Sequence, residues 1–100
     1  MTLSRYGLLG KDIDYSFSRG YFTEKFECEN IQANYVNFDI ANIQDFPHIC
    51  SSQPSLKGMN VTIPYKEQVK PYLDEIDETA RIIGAVNTIK FVDGKKIGFN

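Results

Sequence analysis

The stretch Gly58-Met59-Asn60-Val61-Thr62-Ile63-Pro64-Tyr65-Lys66-Glu67 joins a short predicted strand to the start of a helix. Side chains alternate between the two faces of a strand, so Val61 and Ile63 are predicted to face a core. Asn60 and Thr62 then lie together on the other face. An amide and a hydroxyl on one face predict a contact with something polar.

Pro64 and Lys66 mark the transition to the helix. Pro64 ends the strand because it has no N–H for a sheet, and it suits the first helical position, where that N–H is not needed. Lys66 then falls in the first helical turn, where a positive charge opposes the helix dipole at a cost of about 0.3–1 kcal/mol. A lysine at random is most often a solvated surface residue, but the neighbouring Asn60 and Thr62 make this one a candidate site residue.

Length and composition predict one globular domain. The chain has 100 residues, 42% of them hydrophobic and 24% charged, which allows a single core of ordinary size. A net charge of −2 with interspersed lysines and glutamates predicts no nucleic-acid partner. No signal peptide and no bilayer-length apolar run are visible, so we expect a cytoplasmic protein with no membrane partner.

The cysteines and the histidine suggest no metal site. Cys28 and Cys50 form no CxxC pair and have no histidine at ligand spacing, so they are interpreted as free thiols, with a disulfide less favoured. His48 is given no catalytic role. The carboxylates of residues 74–78 are interpreted as helix-start residues rather than metal ligands.

Strand and helix patterns alternate along the chain. We predict strands over residues 5–10 and 32–39, a helix over 21–26, and a helix after Asn42 that Pro47 delays or interrupts. We further predict a short helix to about residue 70, another through Ile83 closed by Gly84, and a hairpin over 85–100 turning at Asp93-Gly94. The fold class is therefore α/β: a mainly parallel mixed sheet flanked by helices, with a C-terminal β-hairpin.

Two further polar features are candidates for a binding site. Ser16 and Ser18 project to one side of an extended loop ahead of the first helix, so they could bind an anion there. It is at least as plausible that Ser18 is simply the N-cap of that helix and Ser16 a loop residue. Asn87 interrupts an apolar run, and a buried amide without partners costs about 1–3 kcal/mol, so backbone or a polar ligand must satisfy it.

Three motifs resemble the N-terminal substrate-binding domain of shikimate dehydrogenases. Residues 10–18 resemble the family's G-x-P-I-x-H-S-x-S-P, and residues 58–67 resemble G-x-N-V-T-[IV]-P-[FY]-K-E. Residues 84–89 and 98–100 resemble G-A-V-N-T-[IL] and the opening of G-x-N-T-D. The resemblance extends over essentially all 100 residues, with Tyr15 and Arg19 standing where the family usually has histidine and proline.

The resemblance implies reversible, NADP-dependent interconversion of 3-dehydroshikimate and shikimate, on the route to chorismate and the aromatic amino acids. It implies that Ser16 and Ser18 hold the substrate carboxylate and that Asn87 binds a ring hydroxyl. It also places Thr62 at the polar edge of the pocket, with Asn60 in support, and gives Lys66 the acid/base role at the reacting oxygen.

The family's partner aspartate and its Rossmann domain, which binds most of the NADP, are not found in residues 1–100, where no G-x-G-x-x-G occurs. We therefore expect a domain-length, substrate-binding part of an enzyme that is inactive alone. A non-catalytic module that binds shikimate-like acids, or a quinate/shikimate-type dehydrogenase, are the alternatives. Oligomeric state is left open.

Overall fold

The computed structural model describes residues 4–13 and 17–100, except for the side chains of residues 17–19. The strands are β1 (Ser4–Gly10), β2 (Ala33–Asp39), β3 (Leu56–Val61), β4 (Glu75–Ile76), β5 (Thr88–Val92) and β6 (Lys95–Phe99). The helices are α1 (Phe17–Cys28), α2 (Phe46–Ser52), α3 (Tyr65–Gln68) and α4 (Glu78–Ile83), with 3₁₀ turns over Ile43–Asp45 and Lys70–Tyr72.

The six strands form one mixed sheet in the order β2-β1-β3-β5-β6-β4. Strands β2, β1 and β3 are mutually parallel because α1 and the segment containing α2 carry the chain back between them. Strand β5 pairs antiparallel with both β3 and β6, and β4 lies parallel to β6 at the edge. The predicted mixed α/β sheet with a C-terminal hairpin is confirmed.

Each face of the sheet is covered by different helices. On one face, the core comprises strand residues such as Leu9, Met59 and Ile89 packed against Phe46 of α2 and Tyr65 of α3. We call this the core face.

The other face, the α1 face, has a smaller cluster of Leu8, Ile13 and Tyr35 beneath Phe22 and Phe26 of α1. Helix α1 therefore covers only the β2–β1 side. The β3–β5 side of the α1 face borders a cleft.

In the second half of the chain, the predicted capping and turn residues lie at the ends of a helix and at a hairpin turn. Asp77 is the N-cap of α4, its carboxylate accepting a hydrogen bond from the Ala80 N–H at 2.9 Å. Gly84 ends this helix in the left-handed conformation with φ 84°. Asp93 and Gly94 both have positive φ, the requirement of a tight two-residue hairpin turn between β5 and β6.

The predicted inward orientation of Ile63 is wrong. Val61 is buried at 3% exposure, as expected, but Ile63 is 75% exposed. The last strand residue is Val61, and the chain then turns so that the Tyr65 N–H donates to the Thr62 carbonyl. The two-residue alternation of a strand ceases to apply at that turn.

Several element boundaries also differ from prediction. Helix α1 begins at Phe17, so Ser18 lies inside its first turn and is not the N-cap. Pro64 is the residue before α3 rather than its first member, and α3 ends at Gln68. Glu75 belongs to strand β4 instead of a helix start, because it pairs with Ile97 of β6.

Candidate functional site

Four of the predicted site residues lie at one edge of the sheet, where β1, β2 and β3 end and β5 begins. The Val61 N–H donates to the Asn87 carbonyl at 2.8 Å, and the Thr62 N–H donates to the Leu9 carbonyl at 2.9 Å. The Val86 N–H donates to the Lys66 carbonyl at 2.8 Å. These bonds bring the backbones of Asn60, Thr62, Lys66 and Asn87 together, and we call this the carboxyl edge.

The methyl group of Thr62 lies close to Gly10 at the carboxyl edge. A Cβ atom at Gly10 would lie 2.7 Å from the Thr62 Cγ2 and 2.8 Å from the Ile13 Cγ2. The absence of a side chain at Gly10 therefore makes room for both methyl groups.

Asn60 lies on the α1 face, aligned with Leu8 of β1 and Thr88 of β5. Its Nδ2 donates to the Tyr35 hydroxyl oxygen at 3.0 Å. Tyr35 is only 5% exposed and stacks on Phe22 of α1, with ring centroids 4.7 Å apart. Burial raises the pKa of Tyr35, and the hydrogen bond from Asn60 partly opposes that shift.

Sequence reasoning missed Tyr35, because no residue of the predicted strand over residues 32–39 was assigned to the site. The available signal was a tyrosine within that predicted strand. A buried phenol generally seeks a hydrogen-bond partner for its hydroxyl.

Lys66 is exposed, and it takes part in none of the ion pairs formed within the described part of the chain. The described residues therefore do not bury the Lys66 side chain. Its position is nevertheless fixed by its neighbour Tyr65, which is 2% exposed and whose hydroxyl donates to the Ile40 carbonyl. The backbone of Lys66 is anchored, while the side chain extends freely from the edge.

Asn87 is partly exposed and satisfied by two side chains rather than by backbone. Its Nδ2 donates to the Asn100 Oδ1 at 3.3 Å, and its Oδ1 accepts from the Thr88 hydroxyl at 3.1 Å. The Asn100 Nδ2 donates in turn to the Ala85 carbonyl at 3.0 Å. Sequence reasoning missed both partners, although Thr88 lies in the motif at residues 84–89 and Asn100 in the motif at residues 98–100.

The two predicted anion-binding serines cannot be placed in the same way. Ser16 lies outside the described residues, and Ser18 is described only as part of the first turn of α1. The loop that leads toward them is held by β2, because the two carboxylate oxygens of Asp39 accept from the N–H groups of Asp12 and Ile13 at 2.9 and 3.1 Å. The Asn37 Nδ2 also donates to the Ile13 carbonyl at 3.0 Å.

A cleft of about 390 Å³ opens on the α1 face next to the carboxyl edge. Asn60, Thr88 and Lys90 contribute polar groups to it, and Tyr6 and Phe22 contribute apolar walls. Asn60 thus connects the cleft to the carboxyl edge. Within the ranges 4–13 and 17–100, no cluster of His, Cys, Asp or Glu is arranged to hold a metal ion, and no helix is long and apolar enough to cross a membrane.

Comparison with known proteins assigns the chain to a family. The family model described as the shikimate dehydrogenase substrate binding domain matches residues 8–89, from β1 to β5. The chain belongs to this family. This shikimate dehydrogenase substrate-binding domain therefore has Asn60, Thr62, Lys66 and Asn87 of its carboxyl edge within the matched region. Its α1-face cleft lies only partly within that region, because Tyr6 and Lys90 fall outside it.

Individual relatives and solved structures match nearly the whole chain. A shikimate dehydrogenase (NADP(+)) of Methanosphaera stadtmanae is 45% identical over 94% of the chain and 34% of its own length. The shikimate 5-dehydrogenase of Thermus thermophilus, crystallised with shikimate, aligns at a TM-score of 0.88 and 29% identity over 98% of this chain and 38% of its own. The ligand-free 5-ketofructose reductase of Gluconobacter sp. strain CHM43 aligns at a TM-score of 0.90 and 25% identity over 100% of this chain and 36% of its own.

The substrate-binding domain described here thus spans a little over a third of the length of these relatives. Relatives with two differently named activities share its fold. The fold by itself therefore does not select a substrate.

Proposed function

We propose that this chain is the substrate-binding half of a shikimate dehydrogenase that interconverts 3-dehydroshikimate and shikimate with NADP, in the synthesis of chorismate and the aromatic amino acids. The observation that carries the proposal is the convergence of Asn60, Thr62, Lys66 and Asn87 at the carboxyl edge. Polar groups at the carboxyl ends of strands are the usual ligand position in open α/β sheets. The identity of 45% to a shikimate dehydrogenase supports the choice of substrate.

Each residue has a role that its chemistry allows. Asn87 and Thr62 bind ring hydroxyls, because an amide and a hydroxyl can both donate and accept. Asn60, which is hydrogen-bonded to the Tyr35 hydroxyl, supports the side of the site next to Thr62. Ser16 and Ser18, which precede and belong to the first turn of α1 respectively, bind the substrate carboxylate.

Lys66 handles the proton of the reacting oxygen. When a secondary alcohol becomes a ketone, a hydride leaves carbon and a proton leaves oxygen, and a positioned group that takes that proton typically contributes about 10²–10⁴-fold. The Lys66 carbonyl accepts a hydrogen bond from the N–H of Val86, the residue before Asn87. The exposed Lys66 side chain can therefore reach a ligand that is bound over Asn87. Its surroundings in a complete active site would include groups beyond these 100 residues.

The residues described here do not fit the cofactor itself. A nicotinamide dinucleotide normally lies over a glycine-rich turn between a strand and a helix, and none of the G-x-G-x-x-G type occurs in this sequence. We propose that NADP is bound mainly by a second, Rossmann-type domain of the full-length protein. The cofactor would accept or supply the hydride.

The test is a turnover assay on the full-length protein. We expect shikimate to reduce NADP⁺, measured by absorbance. Turnover is expected to be much weaker when quinate replaces shikimate or when NAD⁺ replaces NADP⁺. Turnover of quinate at a higher kcat/KM would favour the quinate/shikimate alternative. Binding of shikimate without any turnover would instead favour a binding module. Turnover of 5-ketofructose alone, followed as oxidation of NADPH, would refute the proposed substrate.

A further inference from the structure

The backbone of Asn87 is fixed on both sides. Its N–H donates to the Phe99 carbonyl at 3.0 Å, and its carbonyl accepts from the Val61 N–H at 2.8 Å. Asn87 thus lies locked between β3 and the end of β6. What is left free is the orientation of its carboxamide, which decides whether a ligand meets the oxygen or the nitrogen.

Thr88 cannot decide that orientation. Its hydroxyl lies 3.1 Å from the Asn87 Oδ1, but a hydroxyl both donates and accepts, so it would tolerate the flipped amide equally well. A group with only one polarity is needed to distinguish the two ends of the carboxamide.

That group is the Ala85 carbonyl, acting through Asn100. A carbonyl oxygen can only accept, so the Asn100 atom that faces it at 3.0 Å must be Nδ2. The other end of the Asn100 amide is then Oδ1, which also only accepts. Asn87 must therefore present its own Nδ2 to Asn100, at 3.3 Å, and direct its Oδ1 toward Thr88.

We propose that Asn100 is a positioning residue that sets the carboxamide orientation of Asn87 and thereby the hydroxyl-recognition pattern of the site. The inference rests on the proposed function in its assignment of Asn87 to a substrate hydroxyl. Asn100 itself contacts Asn87 and Ala85 and is not a catalytic residue.

A double-mutant cycle in the full-length protein tests the inference. The variants are Asn100→Ala, Asn87→Ala and both together, assayed with shikimate and NADP⁺. Asn42→Ala is the matched control, because Asn42 is exposed and its side chain makes no capping hydrogen bond.

In the wild-type background, Asn100→Ala is expected to raise KM for shikimate about three- to ten-fold while kcat changes less than about two-fold. In the Asn87→Ala background, the same substitution is expected to change KM by less than about two-fold, since nothing is left to orient. Asn42→Ala is expected to change neither constant. An equal effect of Asn100→Ala in both backgrounds, or no effect in either, would overturn the inference.

A second measurement separates this inference from the proposed function. The side-chain ¹H–¹⁵N amide signals of Asn87, recorded in the substrate-free protein, should shift in Asn100→Ala but stay in place in Asn42→Ala. If shikimate is not turned over at all, the proposed function fails, and the amide signals still decide the role of Asn100. Unchanged Asn87 signals in Asn100→Ala refute that role for any substrate.

Discussion

Replacing Gly10 by alanine probes how tightly the carboxyl edge is packed. The added Cβ would lie 2.7 Å from the Thr62 Cγ2, 2.8 Å from the Ile13 Cγ2 and 3.4 Å from the Ile63 carbonyl oxygen. Ordinary carbon–carbon contacts are about 3.5–4.0 Å. The two methyl groups must therefore each retreat by roughly 0.7–1.3 Å, and both belong to β-branched side chains with restricted χ1.

The expected cost follows from this overlap. Inserting a methyl group into a well-packed site typically costs about 1–3 kcal/mol, because side chains and backbone shift together. In a domain of about 100 residues, each kcal/mol lowers Tm by roughly 4–8 °C. With a native stability of about 5–15 kcal/mol, most of the protein stays folded at room temperature.

Gly20 provides a control with the opposite expected sign. It lies inside α1, and a Cβ there would meet no atom within 4 Å. Gly20→Ala should therefore stabilise the chain by about 0.5–1 kcal/mol through helix propensity.

Thermal and urea unfolding of the 100-residue chain, followed by circular dichroism, measures both variants. The reasoning is refuted if Gly10→Ala is as stable as the parent, or if the two substitutions shift stability in the same direction. In the full-length protein, Gly10→Ala should also raise KM for shikimate, because Thr62 is displaced.

Four further outcomes are expected. Lys66→Ala in the full-length protein should lower kcat about 10²-fold or more with a much smaller change in KM, and steady-state kinetics showing both constants near wild type would remove Lys66 from the mechanism. The 100-residue chain alone should show no turnover of shikimate with NADP⁺, and activity above a no-protein control would contradict this. Asp77→Ala should lower the free energy of unfolding by about 1 kcal/mol, because the Ala80 N–H loses its capping partner, whereas Asp77→Asn should keep most of that stability in urea titrations. Burial raises the pKa of Cys50 to about 11, with Lys96 opposing the shift, so the thiolate fraction at pH 8 is small and iodoacetamide should modify exposed Cys28 well before Cys50, as peptide mass spectrometry can check.

The local signals in the sequence were sufficient for most individual elements. Asp77 and Gly84 mark the two ends of α4, and Asp93-Gly94 marks the hairpin turn, because each acts through hydrogen bonds or backbone angles within a few residues. The three quoted motifs likewise indicated the family, and the family model matches residues 8–89. None of these inferences required knowledge of which strands are neighbours.

The boundaries of helices and strands were harder to predict where the same residues could belong to either of two elements. Glu75 was interpreted as a helix-start carboxylate, but pairing with Ile97 makes it part of an edge strand. Ile63 was assigned to the core because the alternation was extended two residues beyond the last pairing of β3.

The sequence alone determined the composition of the candidate site, while the tertiary structure decided its arrangement. Asn60, Thr62 and Asn87 can be identified as polar residues within or beside apolar runs, and Lys66 as a positive charge in the first turn of a helix. Their convergence depends on β3 lying between β1 and β5, an order that arises from burying two faces of one sheet. Tyr35 is 25 residues from its partner Asn60, and Asn100 is 13 residues from its partner Asn87. Only the folded chain therefore brings these hydrogen-bonding groups within reach of each other.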